Sequence, residues 1–204
     1  MSKFKLLLGT KNPGKVREAK KILTFPGQDF ELISFQEKEF SDVEETGETY
    51  LENSLEKARK ISNEIGVPVL SDDSGLEVSG LNGAPGVHSA RFAGPDSSDR
   101  ENLNLLLEEL GESDDREARF VTVATLFISS AERYVTRGEL DGRIIDEPRG
   151  NSGFGYDPIF VPNGYDKTLA ELGGEEKNRI SHRRKALEKM KEEIRRIIKS
   201  NRTG

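Results

Sequence analysis

Two adjacent aspartates, Asp72 and Asp73, stand directly after a short apolar run that ends at Leu70. Carboxylates at the end of a buried strand, beside a glycine such as Gly75, occupy the place where open α/β sheets bind substrates. Hard oxygen ligands of this kind suit Mg²⁺, which takes one or two protein carboxylates and completes its shell with phosphate oxygens and water. The segment therefore predicts a metal site, and the capping of a helix by Asp or Ser is the structural alternative.

A second acidic segment, Glu-Glu-Thr-Gly at residues 44–47, is a further source of carboxylates. It lacks the periodicity of a helix or strand and is therefore predicted to be a loop, where acidic side chains are commonly just solvated. The helix predicted after it carries Lys57 on a different face from Leu55. From that face Lys57 could reach the acidic residues, although a plain surface lysine is the simpler interpretation.

A polar turn near the N-terminus offers groups that bind phosphate. It joins an apolar run ending at Leu8 to a helical pattern, so backbone N–H groups at a helix start and two Lys ammonium groups face the same region. The spacing differs from GxxxxGK[ST], so the turn is not a P-loop. A simple N-capping turn is the alternative. The residues concerned are Thr10, Lys11, Asn12, Pro13, Gly14 and Lys15.

A glycine-rich segment and a basic segment in the C-terminal half could bind a planar base. Two aromatic residues separated by one glycine could sandwich the base while a carboxylate accepts hydrogen bonds from its edge, although aromatics beside a strand are more often part of the core. A His–Arg pair at a helix start opposes the helix dipole, and an anion or a carbonyl-rich base would relieve that cost. A solvated helix end is the alternative. The residues are Phe154, Gly155, Tyr156, Asp157, Lys177, His182 and Arg183.

The apolar periodicity predicts the elements that position these residues. Helices are expected after Gly14, over residues 49–65, around residues 103–110 and over residues 181–199. Strands are expected at residues 4–8, 30–34, 67–70, 119–129, 133–145 and 158–161, with a hairpin around residues 129–132. Their order predicts an α/β fold with a mixed central β-sheet flanked by helices, in which the hairpin forms a second lobe.

The composition narrows the class of protein. The chain has 204 residues and a formal net charge of −6, so no basic face for nucleic acid is expected. It has no Cys, which excludes disulfides, thiolate metal sites and a Cys nucleophile and is typical of a cytoplasmic protein. No run approaches the ~20 apolar residues that would span a membrane. The length suits a single domain, residues 1–204, built from two lobes.

Taken together, these segments resemble the inosine triphosphate pyrophosphatase family, also called XTP/dITP diphosphatases. The resemblance runs from Leu8 to the C-terminal helix, and its specificity comes from seven motifs in the family's order. They are Thr10-x-Asn12-x-x-Lys15, Glu44 to Gly47, Glu52-Asn53 with Lys57, Ser71 to Leu76, Gly83 to Gly86 with Ser89-Ala90-Arg91, Gly153 to Phe160, and Ser181-His182-Arg183.

This resemblance implies an ITPase-like fold with an active-site cleft between two lobes, and a homodimer. It implies hydrolysis of ITP, dITP and XTP to the monophosphate and pyrophosphate, with Mg²⁺ as the cofactor and Mn²⁺ as a possible substitute. By matched position, Thr10 to Lys15 would hold the triphosphate, with Ser74 nearby. Glu45 and Asp73 would bind the metal, and Asp73, with Lys57 beside it, would act as the proton acceptor. Phe154 to Asp157, Lys177, His182 and Arg183 would form the nucleoside pocket.

Two other functions are compatible with the same residues. One is a metal-dependent hydrolase acting on dUTP or modified pyrimidine nucleotides. The other is a nucleotide-binding module without catalysis. The adjacent acidic residues favour an enzyme, because carboxylates repel a triphosphate unless a metal ion lies between them.

Overall fold

The computed structural model describes residues 3–200, which form six strands, five α-helices and three short 3₁₀ helices. The strands are β1 (Phe4–Leu8), β2 (Phe30–Ile33), β3 (Val69–Val78), β4 (Glu117–Ser129), β5 (Glu132–Ile144) and β6 (Phe160–Pro162). The helices are α1 (Pro13–Ile22), α2 (Tyr50–Ile65), α3 (Asp99–Leu110), α4 (Gly174–Ile180) and α5 (His182–Ser200). The 3₁₀ helices are Ser79–Leu81, Gly86–Arg91 and Asp157–Ile159.

The strands form one mixed sheet in the order β2-β1-β3-β4-β5-β6. β1 pairs in parallel with β2 and β3, whereas β5 and β6 are antiparallel. This confirms the predicted α/β class with a mixed sheet and flanking helices. Within residues 3–200, no helix combines the length and the apolar character that crossing a bilayer would require.

The chain divides into two compact units. The first comprises the residues up to Asp73, Thr122–Gly138 and the residues from Arg183 onward, and the second comprises Ser74–Val121 and Glu139–His182. The prediction that the hairpin forms the second lobe is therefore wrong, because the hairpin tip belongs to the first unit and its base to the second. The two hairpin strands have 13 residues each, long enough to contribute to both cores. A single domain with a cleft between its lobes stays a prediction.

The first unit is built on amphipathic helices whose apolar stripes were visible in the sequence. Val16, Ala19 and Ile22 of α1 pack into the same core as Leu6 and Leu8 of β1. Six apolar residues of α5 are buried in this core as well. They are Ala186, Leu187, Met190, Ile194, Ile197 and Ile198. The second unit has its own core, in which Leu103, Leu106 and Leu110 of α3 are buried.

Helix α2 begins and ends where the sequence predicts. Thr49 accepts a hydrogen bond from the amide of Glu52 while the Glu52 side chain returns one to Thr49, and this capping box fixes the first turn. Gly66 ends the helix at φ 76, a left-handed conformation that glycine adopts without strain. Leu51 in the first turn is 43% exposed, so it does not continue the apolar face of this helix. The buried residues at this end of the helix include Asn53 and Ser54, whose side chains are hydrogen-bonded inside the first unit.

Strand β3 is longer than predicted, and this changes where the aspartates lie. The segment after Leu70 was expected to leave the strand, but residues 71–75 continue it to Val78. β1 pairs with β3 only as far as Leu8 opposite Leu70. Asp72 and Asp73 therefore lie within β3 but beyond the last residue of its parallel neighbour. They do not cap a helix. They lie next to the carboxyl end of β1, as expected for a site at that edge of the sheet.

Two smaller differences concern the C-terminal half. β6 begins at Phe160 rather than Pro158, because Asp157–Ile159 forms a 3₁₀ turn that fixes the preceding glycine-rich segment. Helix α4 was not predicted, and it carries Lys177 in its last turn. It has only seven residues and no buried residue, so it lacks the apolar stripe that reveals a helix in a sequence.

Candidate active site

Asp72 is the centre of a buried network of charges in the first unit. Its Oδ2 atom lies 2.8 Å from Nζ of Lys15 and 3.2 Å from Nε of Arg183. Arg183 also reaches Glu18, with 3.2 Å between Nη1 and Oε2. Burial pushes the pKa of Asp72 upward, but the positive charges of Lys15, Arg183 and Lys57 outweigh it and hold the pKa well below the usual carboxyl range. Asp72 is therefore a permanent anion that holds two cations in place.

Lys15 is drawn into the same network at the start of α1. Burial lowers the pKa of its ammonium group, and the attraction of Asp72 opposes that shift. The Lys15 side chain is 21% exposed, so the ammonium group that Asp72 fixes can still reach a phosphate oxygen. The network thus provides a fixed positive group at the end of the polar turn.

Asp73 points into a second set of contacts, formed with the acidic loop and α2. Its Oδ2 accepts a 2.9 Å hydrogen bond from Nδ2 of Asn53. Burial, and then the negative charge of Glu45, raise the pKa of Asp73 above its usual value. Lys57 donates to the Glu45 carboxylate and, at 2.7 Å, to the backbone carbonyl of Asp72. The structure thus brings together Glu45, Lys57 and Asp73, as the sequence predicts.

The pair of Glu45 and Asp73 fits a divalent cation by the chemistry of its donors. Two carboxylates close enough to repel each other, one of them buried, would be stabilised by a cation between them. Among residues 3–200, no group of three or more His, Cys, Asp or Glu side chains could hold a metal ion. Two protein carboxylates are nevertheless sufficient for Mg²⁺ when a triphosphate and water supply the remaining oxygens.

The polar turn is an N-capping turn, as the simpler interpretation anticipated. Asn12 Oδ1 accepts hydrogen bonds from the amides of Gly14 at 2.8 Å and Lys15 at 3.2 Å, and Pro13 occupies the first helical position. The amide of Asn12 is bonded in turn to Oγ1 of Thr10. Capping does not remove the two lysines, so it leaves the phosphate hypothesis open. It does assign two of the helix-start N–H groups to Asn12 rather than to a ligand.

Lys11 points to the loop after β2 and not to Asp72 or Asp73. Its Nζ lies 2.8 Å from Oδ1 of Asp42 and 4.8 Å from the centre of the Phe35 ring. A second ring, that of Phe40, is 5.7 Å away. Lys11 and Lys15 therefore have different surroundings, and Lys15 is the one held by the buried network.

In the second unit, the glycine-rich segment presents one aromatic ring to solvent. Phe154 is 55% exposed, and Nζ of Lys177 lies 4.5 Å from the centre of its ring. Asp157, which is buried, accepts a 2.8 Å hydrogen bond from the backbone amide of Phe154. It also forms an ion pair with Lys177. Asp99 at the start of α3 accepts a 2.7 Å bond from the amide of Gly155. These contacts fix an exposed flat ring next to a cation.

The predicted sandwich of two aromatic rings is wrong for Tyr156. Its ring is buried in the core of the second unit, and its hydroxyl donates to the carbonyl of Ser89 at 2.8 Å. Burial raises the pKa of this hydroxyl above its usual range, so it stays a neutral donor. His182 lies in the same unit, stacked on Phe120 with 4.9 Å between ring centres. Phe154 is thus the aromatic residue of this segment that is available to stack on a base.

Gly153→Ala should destabilise the protein more than an alanine at a glycine of similar conformation. Gly153 has φ +90, and a Cβ there would clash with the buried carboxylate of Asp157. Gly164 has φ +82, but a Cβ would meet nothing within 4 Å. Both variants carry backbone strain of about 1–3 kcal/mol, and we expect a clear further loss of unfolding free energy only in Gly153→Ala. Urea unfolding measures this difference, and equal losses would contradict the tight packing of Asp157 against residue 153.

Three residues that contribute to these arrangements were not assigned a role from the sequence. Asn53 bonds Asp73, Glu18 bonds Arg183, and Asp99 bonds the glycine-rich segment. Each is a polar residue on a helix, which is an ordinary position for a solvated side chain. Only Asn53 stood in a segment that the sequence singled out, the motif Glu52-Asn53 with Lys57.

The sequence and the fold of this chain are similar to those of known proteins. The sequence model of the Ham1 family matches residues 6–193. A protein from Bacillus licheniformis named dITP/XTP pyrophosphatase is 46% identical over 187 residues, covering 91% of this chain and 95% of that protein. The solved structure of the Staphylococcus aureus Ham1 protein is similar with a TM-score of 0.85 at 41% identity, covering 94% of this chain and 98% of that one. A HAM1 protein from Coxiella burnetii has a TM-score of 0.88 at 38% identity, with coverages of 95% and 99%.

Proposed function

The chain belongs to the Ham1 family, and we propose that it hydrolyses the non-standard purine nucleoside triphosphates dITP, XTP and ITP to the monophosphate and pyrophosphate. The observation that carries this proposal is the pairing of Asp73 with Glu45 beside the Lys15–Asp72–Arg183 network. A hydrolase for triphosphates needs a base, a divalent cation and fixed positive charge, and these residues can supply or hold all three. The names of the similar proteins, dITP/XTP pyrophosphatase, support the same reaction.

Asp73 is the proposed general base. Its carboxylate is held by Asn53 inside the first unit, where burial and the charge of Glu45 raise its pKa in the metal-free protein. It would take a proton from the attacking water, a step that typically contributes 10²–10⁴-fold to the rate. Lys57, which bonds Glu45 and the carbonyl of Asp72, orients the acidic loop toward Asp73.

Glu45 and Asp73 are the proposed ligands of Mg²⁺. When bound, the ion would neutralise phosphate oxygens and stabilise the charge that develops as the phosphoanhydride bond breaks. Lys15, fixed by Asp72, would bind a further phosphate oxygen, and Lys11 would exchange its contact with Asp42 for the triphosphate. Thr10, Asn12, Pro13, Gly14 and Ser74 complete the proposed phosphate site.

The second unit is proposed to recognise the base. Phe154 would stack on the purine ring, with Gly155 and Tyr156 holding the segment in shape and Lys177 and His182 as donors. ITP and XTP carry a 6-keto acceptor, whereas ATP carries a 6-amino donor, so a pocket built from donors leaves a group unpaired against ATP. Sites of this kind discriminate by up to about 10⁴–10⁵-fold. Arg183, which lies in the first unit, holds Asp72 and Glu18, and its expected place in the nucleoside pocket stays a prediction.

Initial rates with dITP, XTP, ITP, ATP, GTP and dUTP, each with Mg²⁺ and with EDTA, test the proposal. We expect turnover of the first three, loss of that turnover in EDTA, and kcat/KM values for ATP and dUTP that are lower by orders of magnitude. A preference for dUTP would favour a pyrimidine nucleotide hydrolase. Binding of dITP without any turnover would favour the nucleotide-binding module.

The resemblance to the family also supports a homodimer, and the absence of Cys supports residence in a reducing cytoplasm. Light scattering at several protein concentrations tests the dimer. A mass equal to one chain at all concentrations would exclude it.

A further inference from the structure

Asn53 is a buried side chain with both of its polar ends engaged. It is 1% exposed and lies in the first turns of α2. Its Nδ2 donates to Oδ2 of Asp73 at 2.9 Å, and its Oδ1 accepts from the amide of Gly47 at 2.7 Å. One amide group therefore joins strand β3 to the acidic loop that carries Glu45, two residues before Gly47.

The acidic loop has little freedom where Asn53 holds it. A Cβ on Gly47 would lie 2.7 Å from Cβ of Glu52 and 2.8 Å from Oδ1 of Asn53, so the loop backbone packs directly on the helix. The amides of Glu48 and Thr49 both bond to Oε2 of Glu52, at 2.9 and 3.0 Å. One helical turn after Asn53, Lys57 bonds the Glu45 carboxylate itself. The start of α2 thus fixes the loop at Glu45 itself and at the residues from Gly47 to Thr49 that follow it.

We propose that Asn53 is a positioning residue that sets the separation between the carboxylates of Glu45 and Asp73. The inference rests on the proposed function, in which these two carboxylates hold a divalent cation and Asp73 accepts a proton from water. An amide suits the position because it donates to one partner and accepts from the other. Aspartate keeps the acceptor and loses the donor, and alanine loses both.

Asn53→Asp and Asn53→Ala separate the two bonds of this residue. Asn102 supplies the matched control, because it is also a buried helical asparagine, 3% exposed, whose amide bonds a loop on both sides. Its Nδ2 donates to the carbonyl of Ala90, and its Oδ1 accepts from the amide of Ala93 and from the hydroxyl of Ser97. Since none of these partners is Asp73 or Glu45, Asn102→Asp and Asn102→Ala reproduce the structural disturbance alone.

The measurements are kcat and KM for dITP at pH 8.5, the Mg²⁺ concentration that gives half-maximal rate, and amide hydrogen exchange of residues 44–48 in the nucleotide-free protein. We expect Asn53→Asp either to lower kcat about 10- to 100-fold or to raise the Mg²⁺ concentration for half-maximal rate by the same factor. This is the usual effect of removing a partner of a metal ligand. Its hydrogen exchange should stay near that of the wild type, because the bond to Gly47 survives. Asn53→Ala should show the same kinetic loss together with faster exchange of the loop.

The kinetic loss should be absent from both Asn102 variants, even where they lower the unfolding midpoint. If Asn53→Ala does not fold, Asn53→Asp carries the test, since it conserves the size of the side chain. Turnover and Mg²⁺ dependence of Asn53→Asp equal to those of Asn102→Asp would overturn the inference. Failure of the proposed function has a different signature, because Asp73→Asn would then keep wild-type turnover or the wild type would release no pyrophosphate from dITP.

Discussion

Asp73→Asn should lower kcat for dITP by about 10²–10⁴-fold, the usual contribution of a general base. An amide cannot accept the proton of the attacking water, although its oxygen can still accept the hydrogen bond from Asn53. The substitution also removes a buried charge that Glu45 repels. The protein should therefore fold normally, with an unfolding midpoint equal to or above that of the wild type.

Steady-state kinetics with saturating Mg²⁺ and thermal unfolding measure these two effects. Glu44→Gln is the control, because it removes one negative charge from the same acidic loop at an exposed position. We expect Glu44→Gln to keep wild-type kcat. Near wild-type kcat in Asp73→Asn would show that another group accepts the proton.

Asp72→Asn should destabilise the protein by about 3–5 kcal/mol at neutral pH, the range for breaking a buried ion pair on one side. Lys15 and Arg183 both contact Oδ2 of Asp72 and would be left as buried cations without that anion. Lys11 and Asp42 form a pair at the same 2.8 Å separation, but the Asp42 side chain is 91% exposed. Asp42→Asn should therefore change the free energy of unfolding little, since water already screens that pair.

The contribution of Asp72 to the free energy of unfolding should also depend on pH, and it should decrease toward acid pH. The folded state holds the pKa of Asp72 below its value in the unfolded chain, so its contribution is complete above the ordinary carboxyl pKa near about 4. That contribution is lost progressively as the pH falls from this value toward the lower pKa of the folded state. In urea unfolding from pH 7 to pH 3, the difference in unfolding free energy between the wild type and Asp72→Asn should be constant above about pH 5 and should narrow below about pH 4. A difference that stays constant over this range would contradict the ionised, paired state of Asp72.

Much of the fold could be predicted because its elements have simple causes. β1 is a short apolar run bounded by polar residues, and the structure confirms it at Phe4–Leu8. α2 has a capping box at one end and a left-handed glycine at the other, so local chemistry sets both of its ends. The stripe of α5 is long enough that periodicity alone identifies its buried face.

The structure differs from the sequence prediction where polar side chains find hydrogen-bond or ion-pair partners that are distant in the chain. β3 continues through residues 71–75 beside β4, and Lys15, Arg183 and Asn53 bind its two buried aspartates, but no pattern in the strand itself signals those partners. The bond to Asp73 likewise accompanies the buried position of Asn53. Phe154 and Tyr156 are separated by one residue, and only the folded backbone decides that Tyr156 enters the core.

The sequence predicted which residues form the candidate site more completely than it predicted their contacts with one another. The sequence brought Glu45, Lys57 and Asp73 into one hypothesis, and the structure places them in contact or close interaction. It did not reveal that Arg183 holds Asp72, because the two are 111 positions apart in the chain. Contacts over such distances depend on the register of several elements at once, which periodicity does not encode.

The ³¹P NMR spectrum of dITP incubated with the protein and Mg²⁺ tests the central claim most directly. The account predicts that the three triphosphate signals are replaced by those of dIMP and pyrophosphate, and that EDTA stops the change. Accumulation of dIDP and orthophosphate would instead show cleavage of the terminal phosphate. That result would contradict a pyrophosphatase built on Asp73 and Glu45.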